Sequence, residues 1–170
     1  MRITTERLTL EPISLKHLES TYAYSSDPDN TRYMFYLPHD SIGETEAFIR
    51  SAMEEWKKDK PSAYEFAVLI GDAQIGGASM YMQEDGSAEL AWILDRRWQG
   101  YGYAAEAARA LIKWGGGLGI RRFIAQCDSE NEPSWRLMNR LGMRKYSLCG
   151  GRKNRSSDEE RMELTYELII

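Results

Sequence analysis

Trp98-Gln99-Gly100-Tyr101-Gly102-Tyr103-Ala104-Ala105-Glu106-Ala107 stands between two segments of opposite character. Before it, Leu90-Ala91-Trp92-Ile93-Leu94 is an apolar run of strand length. After it, Ala104 to Trp114 is Ala-rich and reads as a helix. A strand, a glycine turn and a helix in that order make an anion cradle. Glycine lets the backbone turn tightly and approach a ligand, and the first N–H groups of the helix, at the positive end of its dipole, attract phosphate. The chain is therefore expected to bind a phosphorylated ligand.

Upstream of this turn, Arg7-Leu8-Thr9-Leu10-Glu11 alternates as a strand up to Pro12. Ser14 reads as the N-cap of a helix over Leu15 to Tyr24, which the breaker Ser25-Ser26-Asp27-Pro28-Asp29-Asn30 ends. The next loop, through Tyr33, Met34, Phe35, Tyr36, Leu37 and Pro38, is apolar enough to pack or to line a cleft. Ser41 or Gly43 starts a second helix with Phe48, Ile49, Ala52, Met53 and Trp56 on one face. Phe66 to Ile70, Gln74 to Met82 and Ser87 to Leu94 form an antiparallel meander with turns at Gly71-Asp72 and Glu84-Asp85-Gly86.

Downstream, Gly115-Gly116-Gly117-Leu118-Gly119 reads as a left-handed helix stop. A strand follows over Ile120 to Cys127, then a helix over Pro133 to Leu141, then a hairpin of Met143 to Cys149 with Met162 to Ile169. Its loop, Gly150 to Arg161, is charged and glycine-rich, which predicts a mobile or substrate-gating segment. The order of elements implies an α+β or mixed α/β fold, one sheet layer between helices.

A chain of 170 residues with 42% hydrophobic content suits one domain and one core. The net charge of -4 and pI near 5.3 argue against a dedicated nucleic-acid binder. No run reaches membrane-span length and Met1 to Arg7 lacks the apolar core of a signal peptide, so a cytoplasmic location is expected. Cys127 and Cys149 read as free thiols. With two histidines and neither H-x-x-H nor C-x-x-C, no metal site is expected.

The glycine turn has two registers. Gly100-x-Gly102-x-x-Ala105 matches a dinucleotide fingerprint, but that fingerprint belongs to the first strand-turn-helix of a parallel unit, and here a meander comes first. There is no G-K-[ST] of a nucleoside-triphosphate loop. Gln99-x-x-Gly102-x-Ala104 instead matches the Q/R-x-x-G-x-G/A motif of the GCN5-related N-acetyltransferases, the GNAT superfamily. Arg97-x-x-Gly100-x-Gly102 fits it as well, and the flanking Tyr103-Ala104-Ala105-Glu106-Ala107 favours the Gln99 register. Thr5 to Leu10, Glu89 to Leu94, Asn131-x-x-Ser134-x-x-Leu137 and Leu141-Gly142-Met143 match further motifs in order, so nearly the whole chain resembles the RimJ/RimL-like, ribosomal-protein N-acetyltransferase branch. Departures from that branch fall at Glu11, Ala91, Ala105, Asn139 and Met143; none removes a backbone group that binds cofactor.

The resemblance implies a single N-acetyltransferase domain over residues 1–170, a mixed, largely antiparallel sheet of about six to seven strands flanked by about four helices. It implies acetyl-CoA as cosubstrate, its pyrophosphate on Gln99, Gly100, Tyr101, Gly102, Tyr103 and Ala104, its pantetheine arm along Trp92, Ile93 and Leu94, and Asn131 on the pantetheine amide. Arg96 and Arg97 either screen the phosphates or are simply solvated. Direct transfer to a primary amine needs a base and a donor to the leaving thiolate. Glu89, in an otherwise apolar strand, is the candidate base or a solvent-face glutamate; Ser134 is the candidate donor or a helix-start serine. Tyr33, Phe35, Tyr36 and His39 are candidates for the acceptor cleft, and His17 is expected at the surface. The acceptor implied is the α-amine of a peptide or protein, with a small amine such as an amino acid, antibiotic or peptide toxin, or a non-catalytic acyl-CoA-binding module, as the alternatives. Neither nucleic acid nor membrane is an expected partner, and a homodimer is compatible with this reading.

Overall fold

In the computed structural model, which describes residues 1–170, the alternating and apolar runs become neighbouring strands of one sheet. β1 (Ile3–Thr4) and β2 (Thr9–Pro12) lead through a 3-10 turn into α1 (Leu18–Ser25), and α2 (Ile42–Glu55) follows the irregular loop. β3 (Ala63–Ile70), β4 (Ala73–Met82) and β5 (Ala88–Leu94) are the meander; α3 (Tyr103–Gly117), β6 (Arg122–Asp128), α4 (Glu132–Arg140), β7 (Arg144–Lys153) and β8 (Glu160–Ile169) complete the chain. The sheet order is β1-β2-β3-β4-β5-β6-β8-β7, with every neighbouring pair antiparallel except β5 and β6. The mixed α/β class is as expected, with eight strands, slightly more than expected, because Ile3–Thr4 pairs as a short edge strand.

Alternation along the strands sorts the side chains into two faces. Leu10, Phe66, Val68, Met80 and Leu90 turn toward Ala107 and Leu111 of α3, while Ala67 and Leu69 pack against Ile49 and Ala52 of α2. A third cluster, including Ala125, Cys127, Leu164 and Tyr166, seats α4 through Met138. Each fully buried Leu or Phe contributes about 1.5–3 kcal/mol, so packing rather than helix propensity holds α3 and α4 in place.

Local chemistry starts the helices. Ser41 Oγ accepts the Glu44 N–H at 3.3 Å and the Glu44 carboxylate takes the Asp40 N–H at 2.8 Å. Asn131 Oδ1 accepts the Ser134 N–H at 3.3 Å, with Pro133 in the first turn of α4.

Three expectations change. The glycines 115–117 continue α3 instead of ending it, and Gly119, at φ +95°, is the left-handed residue. A Cβ on Gly115 would lie 2.9 Å from the Phe123 ring and 3.0 Å from Met80 Sδ, so packing against the sheet explains that glycine. Half of the expected mobile loop at Gly150 to Arg161 is strand: β7 runs to Lys153, β8 starts at Glu160, and both Arg152 and Asn154 are buried. Its charges are spent on internal partners, which sequence composition does not reveal. His17 is buried, not on the surface, because Glu11 meets its Nε2 at 3.2 Å.

Gly76 sits opposite Leu94, and a Cβ there would lie 2.2 Å from the Ile93 carbonyl oxygen and 2.8 Å from Leu94 Cα. Both are backbone atoms with no rotamer to yield. Gly76→Ala is expected to destabilise the protein by about 1–3 kcal/mol in urea unfolding; an unchanged midpoint contradicts this packing.

Candidate active site

β5 and β6 pair only at Ala88↔Phe123 and Glu89↔Ile124. Beyond those residues β5 stays paired with β4 and β6 with β8, so the two strands part and open the sheet. The split runs into a cavity of about 680 Å³ lined by Leu90–Leu94, Gln126, Cys127, the glycine turn and the first turns of α3 and α4. This is large enough for a coenzyme-sized ligand.

At one end lies the anion cradle. Gly100 and Gly102 take φ of +85° and +83°, the region that favours glycine. Gly102 is the N-cap of α3 and carries no capping side chain; the first intrahelical bond is Glu106 N–H to Gly102 O at 3.1 Å. The N–H groups of Tyr103, Ala104 and Ala105 are thus left for a ligand. Glu106, an acid in this same first turn, is drawn away by Thr5 Oγ1 at 2.6 Å and by Arg7, whose Nε is 2.7 Å from it. Gln99 Nε2 bridges Leu94 O and Asn30 Oδ1, both at 3.0 Å, tying the end of β5 to the loop after α1.

Arg96 lines the cavity while paired with Asp29 at 2.9 Å; Arg97 is held by Asp95 and does not line it. Arg136 and Arg140 of α4 also line it and went unrecognised in the sequence, although their i, i+4 spacing on the Asn131–Ser134 helix was a usable signal.

The cavity wall also takes in Tyr33, Met34 and Arg152. The two segments flanking it are bound together. Arg152 Nη2 donates to Tyr33 O at 2.8 Å, the Arg155 N–H to Met34 O at 3.0 Å, and Ser156 Oγ to Arg32 O at 3.3 Å. Arg155 also reaches Tyr36 O, Asp40 and Glu44.

Of the residues singled out in the sequence, Trp92, Ile93, Leu94, Gln99, Gly100, Gly102, Tyr103, Ala104, Asn131, Ser134 and Tyr33 come together around this one cavity. Tyr101 does not line it; it is exposed and stacks on Tyr103. Phe35 lies under the Arg152 guanidinium at 4.1 Å and Tyr36 points to solvent, 85% exposed. His39 is buried away from the cavity, its Nδ1 2.8 Å from Thr45 Oγ1 and 3.2 Å from Ser25 Oγ, so it joins α1 to α2.

Glu89 is the last β5 residue paired with β6, on the sheet face opposite α3, and does not itself line the cavity. Burial pushes its carboxyl above the usual range, the Glu163 charge adds to that, and Arg152 opposes it. On the same face Glu65 is buried, its carboxylate held by the hydroxyls of Ser79 and, at 2.6 Å, Tyr81. Burial raises Glu65 too, against those hydrogen bonds. Burial pushes the Cys127 thiol up to about 11, with the Ser134 hydroxyl beside it acting the other way. No group of His, Cys, Asp and Glu is arranged to hold a metal ion.

A glycine turn with free N–H groups at a helix start, opening into a split sheet, is a site shaped for a phosphorylated coenzyme. The family comparison agrees: residues 7–144 match the acetyltransferase (GNAT) domain, and the chain belongs to that acetyltransferase family. It is 30% identical over 164 residues, 94% of each chain, to the uncharacterized N-acetyltransferase YnaD of Bacillus subtilis (strain 168). The structure superposes on a GNAT-family acetyltransferase from Bacillus anthracis with a TM-score of 0.86 at 26% identity, covering 99% of this chain and 98% of that one. It shares its fold with RimL, a ribosomal L7/L12 α-N-protein acetyltransferase solved in complex with coenzyme A, at a TM-score of 0.89 and 17% identity over 100% and 98% of the two chains.

A carboxylate about 5 Å from a bound phosphate, at an effective dielectric of about 20, repels it by about 3 kcal/mol, a factor of more than about 100 in affinity. Gly102→Asp is expected to lose coenzyme A binding by at least that factor in calorimetric titration. Gly102→Ala carries only the left-handed backbone strain of about 1–2 kcal/mol and is expected to lower thermal stability more than affinity. Equal affinities for the two variants contradict the cradle.

Proposed function

We propose that this acetyltransferase uses acetyl-CoA to acetylate a primary amine, the α-amine of a peptide or protein, by direct attack within a ternary complex. The observation that carries the reading is the β5–β6 split, which opens beyond Glu89, the last paired residue of β5, and runs into the cavity that holds the glycine turn. The pyrophosphate lies on the amides of the glycine turn and of Tyr103 and Ala104, with Arg96, Arg136 and Arg140 near the remaining phosphate charge. The pantetheine arm lies along Trp92, Ile93 and Leu94 as an added strand, and Asn131, whose Oδ1 caps α4, offers it the Nδ2 amide. RimL and its complex with coenzyme A support both the cosubstrate and the α-amine acceptor.

The amine nitrogen attacks the thioester carbonyl carbon, a C–N bond forms, and the C–S bond breaks with its electron pair leaving on sulfur. Glu89, set back from the cavity wall, takes the proton from the amine through a water, and Ser134, beside the thiolate, relays one to it. The raised carboxyl of Glu89 brings its proton affinity closer to that of the amine. Backbone N–H groups at the parting of β5 stabilise the developing oxyanion. Cys127 has no nucleophilic part here, since burial keeps it a thiol at neutral pH.

Initial rates on a peptide with a free N-terminus and on the same peptide with its N-terminus blocked and one lysine free test the acceptor; thiol release from the first only is expected, and release from the second only contradicts it. Glu89→Gln is expected to lower kcat/KM at pH 7 by about 10²–10⁴-fold and to remove the rise of activity with pH that belongs to Glu89 ionisation. A superimposable pH profile removes Glu89 from the mechanism. Cys127→Ala is expected to keep turnover within about threefold and to show no acyl-enzyme burst; loss of activity in a folded variant contradicts direct transfer.

A further inference from the structure

Arg152 is a charged side chain only 5% exposed, and it borders the cavity at the acceptor end. Nothing in the transfer chemistry above requires it. Burying a guanidinium carries a desolvation penalty of several kcal/mol, which its surroundings offset. Nη1 pairs with Glu163 Oε2 at 2.7 Å, Nε donates to Asn154 Oδ1 at 3.0 Å, and Nη2 donates to Tyr33 O at 2.8 Å. Asn154 is itself fixed by Asp128 Oδ2 at 2.6 Å, and Phe35 lies flat beneath the guanidinium at 4.1 Å. The planar head is thus immobilised at the cavity wall. A guanidinium has five N–H donors, and these three bonds leave one on Nη1 and one on Nη2.

We propose that Arg152 is the acceptor-recognition residue: its remaining N–H groups take the carbonyl oxygen adjacent to the reacting amine, so that the acceptor class is an α-aminoacyl group and not an alkylamine. This rests on the acetyl-transfer reading above and narrows it. Glu89 lies at the root of the split, where β5 and β6 last pair, and Arg152 lines the cavity into which the split opens, so the site carries one acid and one fixed cation. An α-amino group with its carbonyl two bonds away offers the complementary pair. A bare alkylamine satisfies the carboxylate and leaves the guanidinium donors facing an apolar group, at about 1–3 kcal/mol for a donor left unpaired.

The test is a comparison of kcat/KM for alaninamide and isopropylamine, which differ by replacement of the carboxamide with methyl, in the wild-type protein and in Arg152→Gln. Their different basicities cancel when the preference for alaninamide in the variant is divided by that in the wild type. The preference is expected to fall at least about tenfold in the variant. Arg152→Lys keeps a cation beside Glu163 and loses the planar fork, so it carries the same readout should the glutamine variant fail to fold; its preference is expected to fall as well. A preference unchanged by the substitution, with both amines losing rate equally, overturns the recognition role and keeps acetyl transfer. No thiol release with either amine, in wild-type protein that binds coenzyme A, overturns the acetyl-transfer reading and this inference with it.

Discussion

The structure depends on one broken strand pairing. Parallel strands joined by a crossover helix normally pair along their length, yet β5 and β6 pair over two residues and then separate. Each keeps its outer partner, β4 for one and β8 for the other, so neither strand is lost from the sheet. The inner edges are left with backbone donors and acceptors that need partners, and a ligand with amide groups of its own can supply them as an inserted strand. The separation is maintained from both sides. Trp92 packs against the cluster beneath α3 and against the one beneath α4, while Gly76 lets β4 draw β5 the other way.

Around this split the charges are arranged with unequal freedom. Cationic side chains at the cradle end, Arg96 and Arg136, are solvent-exposed and paired with exposed acids, so they can reorganise around phosphate. Around Arg152 the charges are fixed: buried Asp128 and Arg152 and half-buried Glu163 form, with Asn154, one connected chain of hydrogen bonds. Such a network is expensive to assemble and stiff once made, so this part of the cavity wall keeps a fixed shape.

What was legible in the sequence follows from the range of the interactions involved. The glycine turn and the alternation of Leu8 and Leu10 are local, and such spacing located the turn before α3 and the main elements, whereas the cap that Asn131 places on α4 went unread. The glycines after Trp114 were misread because their reason, the approach of Phe123 and Met80, lies elsewhere in the chain. The same holds for Gly150 to Arg161. Its charges looked solvated, but Arg152 and Arg155 find partners more than a hundred residues away, at Tyr33, Asp40 and Glu44. His39 looked like a cleft residue because it follows an apolar loop, whereas Ser25 and Thr45 enclose it. The parting of β5 from β6 had no signal in the residue pattern, since an unpaired strand edge and a paired one read alike; only the family resemblance, which put a ligand arm along Trp92, Ile93 and Leu94, implied an open edge there.

Amide hydrogen exchange of the protein with and without coenzyme A addresses the split most directly. If a ligand arm completes the open edge of β5, exchange at Trp92 and Leu94, whose N–H groups face away from β4, slows together with that at Tyr103 and Ala104 when coenzyme A is added. Protection confined to the glycine turn and the start of α3, with the β5 amides exchanging as before, contradicts the account.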